Sequence, residues 1–106
     1  MKHKKAVEFH AGKYNCAQAV LKAFDKNDDI VAEAKSYGGG RAEDGLCGAL
    51  YAGLLLTENK DKQIKLKEFF KENAASLKCR EIKKQQTLSC SQCVEIVAKF
   101  LEENND

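Results

Sequence analysis

An uncharged stretch of eleven residues, 46–56 (LCGALYAGLLL), constrains the fold of this chain more than any other feature. The chain as a whole is 32% charged, yet within this stretch apolar side chains fall on every side of a helical wheel. A helix of this kind is predicted to be surrounded by protein. It is far shorter than the roughly 20 residues that a membrane-spanning helix needs. The surroundings are therefore predicted to be other helices of the same domain or of a partner subunit.

The rest of the chain also has helical patterns. It contains no proline, strand-like alternation of β-branched residues is nearly absent, and glycine, asparagine and aspartate mark the turns. Besides the stretch 46–56, helices are predicted at 2–10, 16–24, 29–36, 61–75 and 79–85, and from residue 90 onward. The predicted fold class is all-α, a compact bundle of about five to seven short helices around a central apolar helix.

Length and charge exclude several classes of function. One hundred and six residues with an apolar share of 43% predict one domain, 1–106, with a single modest core. The 18 basic and 16 acidic residues are well mixed and sum to +2, which is not the footprint of a protein that binds nucleic acid or an anionic membrane. No apolar signal-peptide segment follows the basic start MKHKK. We therefore expect a cytoplasmic protein with no nucleic-acid partner and no membrane association.

The five cysteines carry the chemistry in this interpretation. Thiols are normally kept reduced in the cytoplasm, so spaced cysteines there indicate metal, cluster or redox chemistry. Four of them lie within the first turn or so of a predicted helix: Cys16, Cys47, Cys79 and Cys90. A helix N-terminus carries about half a positive charge and several unbonded N–H groups. The thiolate is therefore predicted to be favoured over the thiol at these positions.

Four thiolates in one place need a cation, which an iron–sulfur cluster or a tetrahedral metal ion supplies. Disulfides are one alternative, and buried thiols that only fill the core are another. Cys90 and Cys93 form a compact C-x-x-C pair, but without the βαβ setting of a thioredoxin-like site. No paired C-x-x-C pattern for zinc is present. His3 and His10 are more typical of surface residues than of metal ligands.

Four blocks of sequence resemble a known family. They are GKYNCAQAVLKAF at 12–24, GGGRAEDGLCGAL at 38–50, CREI at 79–82 and the cysteine helix that begins at Cys90. Together they resemble the redox-active proteins named after the pattern C_GCAxxG_C_C, over nearly the whole chain. The resemblance implies an all-helical protein of bacteria or archaea, associated with oxidoreductase or transport functions. A module of split-Soret cytochromes, thought to contain a [2Fe–2S] cluster, is similar.

The resemblance also assigns residues. It places Cys16, Cys47, Cys79 and Cys90 on the four cysteines of the family, with Gly48 and Ala49 completing the central motif. This chain departs from the pattern twice. Ala52 stands where the pattern has its last glycine, and Gly53 follows one step later. Cys93 is an additional cysteine that competes with Cys90 for the fourth position, although the spacing to Val94 favours Cys90.

Three hypotheses follow for the function. The leading one is a redox or electron-transfer protein, with a redox partner protein, in which a [2Fe–2S] cluster, rather than zinc, is bound by four cysteines: Cys16, Cys47, Cys79 and Cys90. The second is a thiol–disulfide enzyme with an attacking and a resolving cysteine, either Cys90 with Cys93 or Cys47 with a neighbour. The third is a helical interaction module with buried thiols or a zinc ion, and with a homodimer formed through the central helix.

Overall fold

The computed structural model describes residues 2–12, 14–37, 45–57, 59–85 and 88–104. Within these ranges it has seven α-helices: α1 Lys2–Ala11, α2 Cys16–Ala23, α3 Asp28–Glu33, α4 Gly48–Leu56, α5 Lys60–Ala74, α6 Cys79–Gln85 and α7 Cys90–Asn104. A 3-10 helix, Ala34–Tyr37, directly follows α3. The described residues form no β-strand, so the predicted all-α fold is confirmed. Residues 38–44, the glycine-rich start of the block at 38–50, lie outside the described residues.

Polar caps determine where α2 and α7 begin. The side chain of Asn15 accepts a hydrogen bond from the N–H of Gln18 (2.8 Å), and the side chain of Gln18 accepts one from the N–H of Asn15 (3.1 Å). Ser89 and Gln92 make the same reciprocal pair before α7. Each of these capping boxes satisfies two N–H groups that the helix leaves unbonded. Both helices therefore begin with the cysteine that follows the cap, as predicted.

The helix α2 is the most enclosed, since seven of its eight residues are buried. Around it pack α1, α3, α4 and α7. The helix α4 packs against α2, α5 and α7 and is buried along the side that carries its glycines and alanines. Leu55, however, is 52% exposed. Within the single chain α4 is therefore enclosed along one side, and α2 is the more deeply buried helix. That a partner subunit surrounds the exposed side of α4 stays a prediction.

Gly53 lets α4 pack closely on α5 and α7. A Cβ atom at this position would lie 2.7 Å from Cγ1 of Val97 and 3.0 Å from Cδ2 of Leu66. Both of those side chains are fully buried, so a larger residue would have no open space to enter. Ala52, at the position of the motif glycine, is also fully buried. Gly53, one residue after the motif position, is thus the residue at the close contact of α4 with α5 and α7.

The buried apolar side chains of the described residues form one core, to which every α-helix contributes. Phe70 of α5, Leu21 of α2 and Leu50 of α4 are among its largest fully buried members. None of the helices in the described ranges has the combination of length and hydropathy needed to cross a bilayer.

Candidate functional site

All five cysteines meet at one small cavity of about 20 Å³. Its lining consists of these cysteines and two apolar side chains: Cys16, Cys47, Cys79, Cys90, Cys93, Ile82 and Leu88. Four of the cysteines stand at the N-terminal ends of α2, α4, α6 and α7, and the fifth lies one turn into α7. The structure therefore brings together every cysteine that the sequence analysis singled out, although these residues are far apart along the chain.

A short backbone pairing joins the chain before Cys47 to the chain before Cys79. Leu46 forms an isolated antiparallel bridge with Lys78, and the N–H of Cys47 donates to the carbonyl of Leu77 (2.9 Å). The helices α4 and α6 begin within two residues of this bridge. It therefore fixes the two helix starts beside each other, and no pattern in the sequence predicts it.

Ser76 orders the segment that leads to Cys79. Its buried hydroxyl accepts a hydrogen bond from the N–H of Lys78 (3.1 Å) and donates one to the carboxylate of Glu81. Local bonds of this kind are typical of serine before a helix. The sequence predicts only an interruption between two helices here, because Glu81 lies five residues after Ser76 and the capping-box signal needs a spacing of three.

Asn15 and Gln18 fix the first turn of α2 to the neighbouring elements. The side-chain amide of Asn15 donates to the carbonyls of Ala34 (3.3 Å) and Lys35 (3.0 Å). That of Gln18, which is buried, donates to the carbonyl of Val31 (3.0 Å). These carbonyls belong to α3 and to the 3-10 helix after it. Cys16, which lies between Asn15 and Gln18 in the sequence, is thereby held in place by hydrogen bonds on both sides of it.

Three of the thiols are hydrogen-bonded in a row. Cys16 donates to the sulfur of Cys47, and Cys47 donates to the sulfur of Cys93. The bond that Cys16 donates, together with burial and the nearby Cys47 sulfur, raises the pKa of the Cys16 thiol above its ordinary value. The backbone N–H groups of Ala49 and Ala17 act in the opposite direction, lowering this pKa, and are outweighed.

Opposing effects also act on the pKa of Cys47. The hydrogen bond that it accepts from Cys16 lowers its pKa, but the bond that it donates to Cys93 and its burial prevail and raise the pKa of Cys47 to about 12. The expectation that helix N-termini favour the thiolate is therefore wrong for Cys16 and Cys47 in the metal-free protein. Desolvation and S–H···S contacts outweigh the helix N-termini. At neutral pH both are neutral thiols, which are poor nucleophiles.

Cys90 differs from the other four cysteines in its exposure. It is half-buried, whereas the others are buried. Leu88 is the other half-buried member of the lining, so the cavity meets the solvent beside these two residues. Any reagent or partner that reaches the buried thiols is expected to approach from this side.

Neither histidine lines the cavity. Nδ1 of His10 lies 3.0 Å from the hydroxyl oxygen of Ser91, and burial lowers the pKa of His10. Nδ1 of His3 lies 3.0 Å from a carboxylate oxygen of Glu102. The two side chains thus join α1 to α7.

The donor set fits a thiolate-bound iron–sulfur cluster or zinc ion in its chemistry. Both groups are bound by cysteine thiolates, and no oxygen or nitrogen side chain is among the described lining residues. The cavity volume is too small for a cluster, because about 20 Å³ accommodates only about one water-sized group. In the described ranges no three ligating side chains are placed so that they could hold a metal ion. Loading would thus need the sulfurs to turn inward and, for a cluster, the walls to move apart.

Comparison with known proteins agrees with the resemblance found in the sequence. One family model matches residues 14–104, a span that includes all five cysteines and α2 to α7. Among curated proteins and among solved structures, no match was found. The matched span covers most of the chain, and the chain therefore belongs to the family described as putative redox-active protein (C_GCAxxG_C_C).

Proposed function

We propose that this protein is an electron carrier that binds an iron–sulfur cluster through four cysteines: Cys16, Cys47, Cys79 and Cys90. The observation that supports this most is the single cavity lined by thiols from five positions along the chain. The rest of its described lining is apolar, so the cavity offers few groups to a polar substrate. Thiolate sulfur is the donor that iron–sulfur clusters require.

When bound, such a cluster supplies a one-electron redox centre. The contribution of the chain is to stabilise anionic sulfur around it. The N–H groups of Ala17 and Ala49 act on the sulfur of Cys16, and the N–H of Leu50 acts on that of Cys47, each lowering the pKa. These groups are outweighed while the thiols carry protons. With a metal ion or cluster bound, the same N–H groups would stabilise the thiolate ligands, as N–H groups around metal-bound sulfur generally do.

A redox partner protein is part of this proposal. An electron carrier exchanges electrons at the part of its surface nearest to its cofactor. Here that part is the side where Cys90 and Leu88 are half-buried. We propose that the partner docks over these two residues.

Anaerobic reconstitution with ferrous iron and sulfide tests the proposal. We expect about two iron and two sulfide ions per chain, visible absorption of the cluster, and a paramagnetic signal after one-electron reduction. Cys47→Ser should lose or strongly weaken the cluster, whereas the matched variant Cys93→Ser should retain it. Uptake of zinc alone would favour the structural role. Five reduced thiols with no iron bound after reconstitution would contradict the proposal.

A thiol–disulfide function of Cys90 and Cys93 is the second candidate. The exposure pattern favours it, because Cys90 is half-buried at the first position of α7 and Cys93 is buried one turn on. Residues three apart lie on the same helix face, so the outer thiol would attack and the inner one would resolve. Cys47 is poorly placed to attack a disulfide in solution, since it is buried and its pKa is about 12. Turnover of a disulfide substrate that is lost in Cys90→Ser but retained in Cys79→Ser would support this function.

A further inference from the structure

The cavity contains one thiol more than the proposed cluster uses. That thiol, Cys93, is only 2% exposed and accepts a hydrogen bond from Cys47. It also lies three residues after Cys90, on the same face of α7. Cys93 therefore stands between the half-buried thiol at the solvent side and the buried thiol before α4.

We propose that Cys47 and Cys93 form a reversible disulfide that closes the cavity to metal, and that Cys90 is the thiol through which the oxidant acts. The disulfide removes two sulfur donors, one of them a ligand of the proposed cluster. Only the effect on metal binding rests on the proposed function, because the disulfide itself forms in the metal-free protein. The oxidant is a small-molecule disulfide.

The chemistry proceeds by three exchanges. The sulfur of Cys90 attacks the small disulfide, forming a mixed disulfide and releasing one small thiol. The sulfur of Cys93 then attacks that of Cys90, which releases the second small thiol. Finally the sulfur of Cys47 attacks that of Cys93 and returns Cys90 to the thiol form, with the proton of Cys47 passing to Cys90. In sum, two protein thiols lose two electrons and two protons, and the small disulfide gains them as two thiols.

Helix geometry favours the last exchange. Residues three apart on an α-helix have Cβ atoms about 5–6 Å apart, whereas a disulfide needs about 3.5–4.5 Å. A bond between Cys90 and Cys93 is therefore strained as long as the first turn of α7 stays helical. Cys47 belongs to a different segment, so its sulfur can approach Cys93 without distorting α7.

Cys16 is the competing partner for Cys47, because it too is in hydrogen-bond contact with it. The local structure argues against it, because the backbone of Cys16 is fixed by the capping box of α2. Cys93, in contrast, lies on the same helix as Cys90, the half-buried thiol. Oxidation that begins at Cys90 thus reaches Cys93 and Cys47 first.

Oxidation of the reduced, metal-free protein with glutathione disulfide tests the proposal. Samples are quenched with acid over time, alkylated, digested and mapped by mass spectrometry. We expect glutathione on Cys90 first, then a transient bond between Cys90 and Cys93, and finally a disulfide between Cys47 and Cys93. A stable end product between Cys90 and Cys93 with Cys47 still reduced, or one between Cys16 and Cys47, would overturn the inference.

Three variants separate the steps. Cys93→Ser should keep glutathione on Cys90 and leave Cys47 reduced. Cys90→Ser should reach the same disulfide about tenfold more slowly, since the exposed thiol is missing. Cys16→Ser removes the competing partner of Cys47 and should still give the disulfide between Cys47 and Cys93. Circular dichroism establishes that each variant is folded before it is oxidised.

A metal-binding measurement separates this inference from the proposed function. The oxidised protein should take up no iron, and the same sample after reduction should regain the uptake of the untreated protein. If the disulfide forms but the reduced protein never binds iron, the proposed function fails while the disulfide stands. If a cluster binds and Cys47 never enters a disulfide, the present inference alone is overturned.

Discussion

Replacement of Gly53 with alanine probes the contact between α4 and its neighbours. The added Cβ would lie 2.7 Å from Cγ1 of Val97 and 3.0 Å from Cδ2 of Leu66, two side chains that are fully buried. Alanine gains about 1 kcal/mol over glycine in a helix. Overpacking a filled core costs about 1–3 kcal/mol, and with two contacts this short we take a cost of about 2 kcal/mol. We therefore expect Gly53→Ala to lower the free energy of unfolding by about 1 kcal/mol.

Urea unfolding of the reduced, metal-free protein, followed by circular dichroism, measures this change. In a domain of this size the melting temperature should fall by about 4–8 °C. The matched control is Gly12→Ala, where the added Cβ meets its nearest atom only at 3.5 Å and little change is expected. In a Val97→Ala background, which lacks the closest atom, the penalty of Gly53→Ala should shrink or reverse. A Gly53→Ala protein that is stabilised by itself, with no coupling to Val97→Ala, would refute the reasoning.

Three further predictions concern charge, capping and backbone conformation. Above about pH 9 the unfolded chain loses the Cys47 proton, which the folded protein keeps until about pH 12. The contribution of Cys47 to the free energy of unfolding should therefore fall by about 1.4 kcal/mol per pH unit in this window, and the raised pKa of Cys16 adds to the fall. Alkaline urea titrations of Cys47→Ser should show a shallower fall, and identical slopes would contradict the raised pKa. Asn15→Ala should cost about 1–2 kcal/mol, because it removes the acceptor for the N–H of Gln18 and the amide that donates to the carbonyls of Ala34 and Lys35; an unchanged free energy of unfolding would show that the cap is unimportant. Ala75 ends α5 at φ 69°, a conformation that glycine adopts more readily. Ala75→Gly should therefore raise the free energy of unfolding by about 1 kcal/mol and the melting temperature with it. A lower melting temperature would contradict this prediction.

Helix positions could be predicted because their signals are local. Asn15 and Ser89 each precede a helix with a glutamine three residues later, and both form the capping box that this pattern favours. The end of α3 could not be predicted as well. Its predicted helix extends to residue 36, whereas the α-helix ends at Glu33 and tightens into a 3-10 helix. Carbonyls of that last turn bond to Asn15, which is nearly twenty residues earlier.

The gathering of the cysteines followed from their shared place at helix starts and from the family resemblance. The contacts between the individual sulfurs could not be predicted from the sequence, since they depend on distant parts of the chain. The contact between Cys47 and Cys93 requires α7 to pack across the start of α4, and the bridge between Leu46 and Lys78 has no strand pattern. The direction of the pKa shift at Cys47 was missed for the same reason, because a helix start is local whereas burial is a property of the assembled core.

Iron and acid-labile sulfide analysis of the protein purified without oxygen tests the central claim most directly. If the five clustered thiols are a cluster site, the freshly purified protein should be coloured and should contain iron and sulfide in equal amounts. Both should disappear together in Cys47→Ser. A colourless protein, with all its thiols reduced and with neither element, would contradict the claim that these thiols are gathered to bind iron.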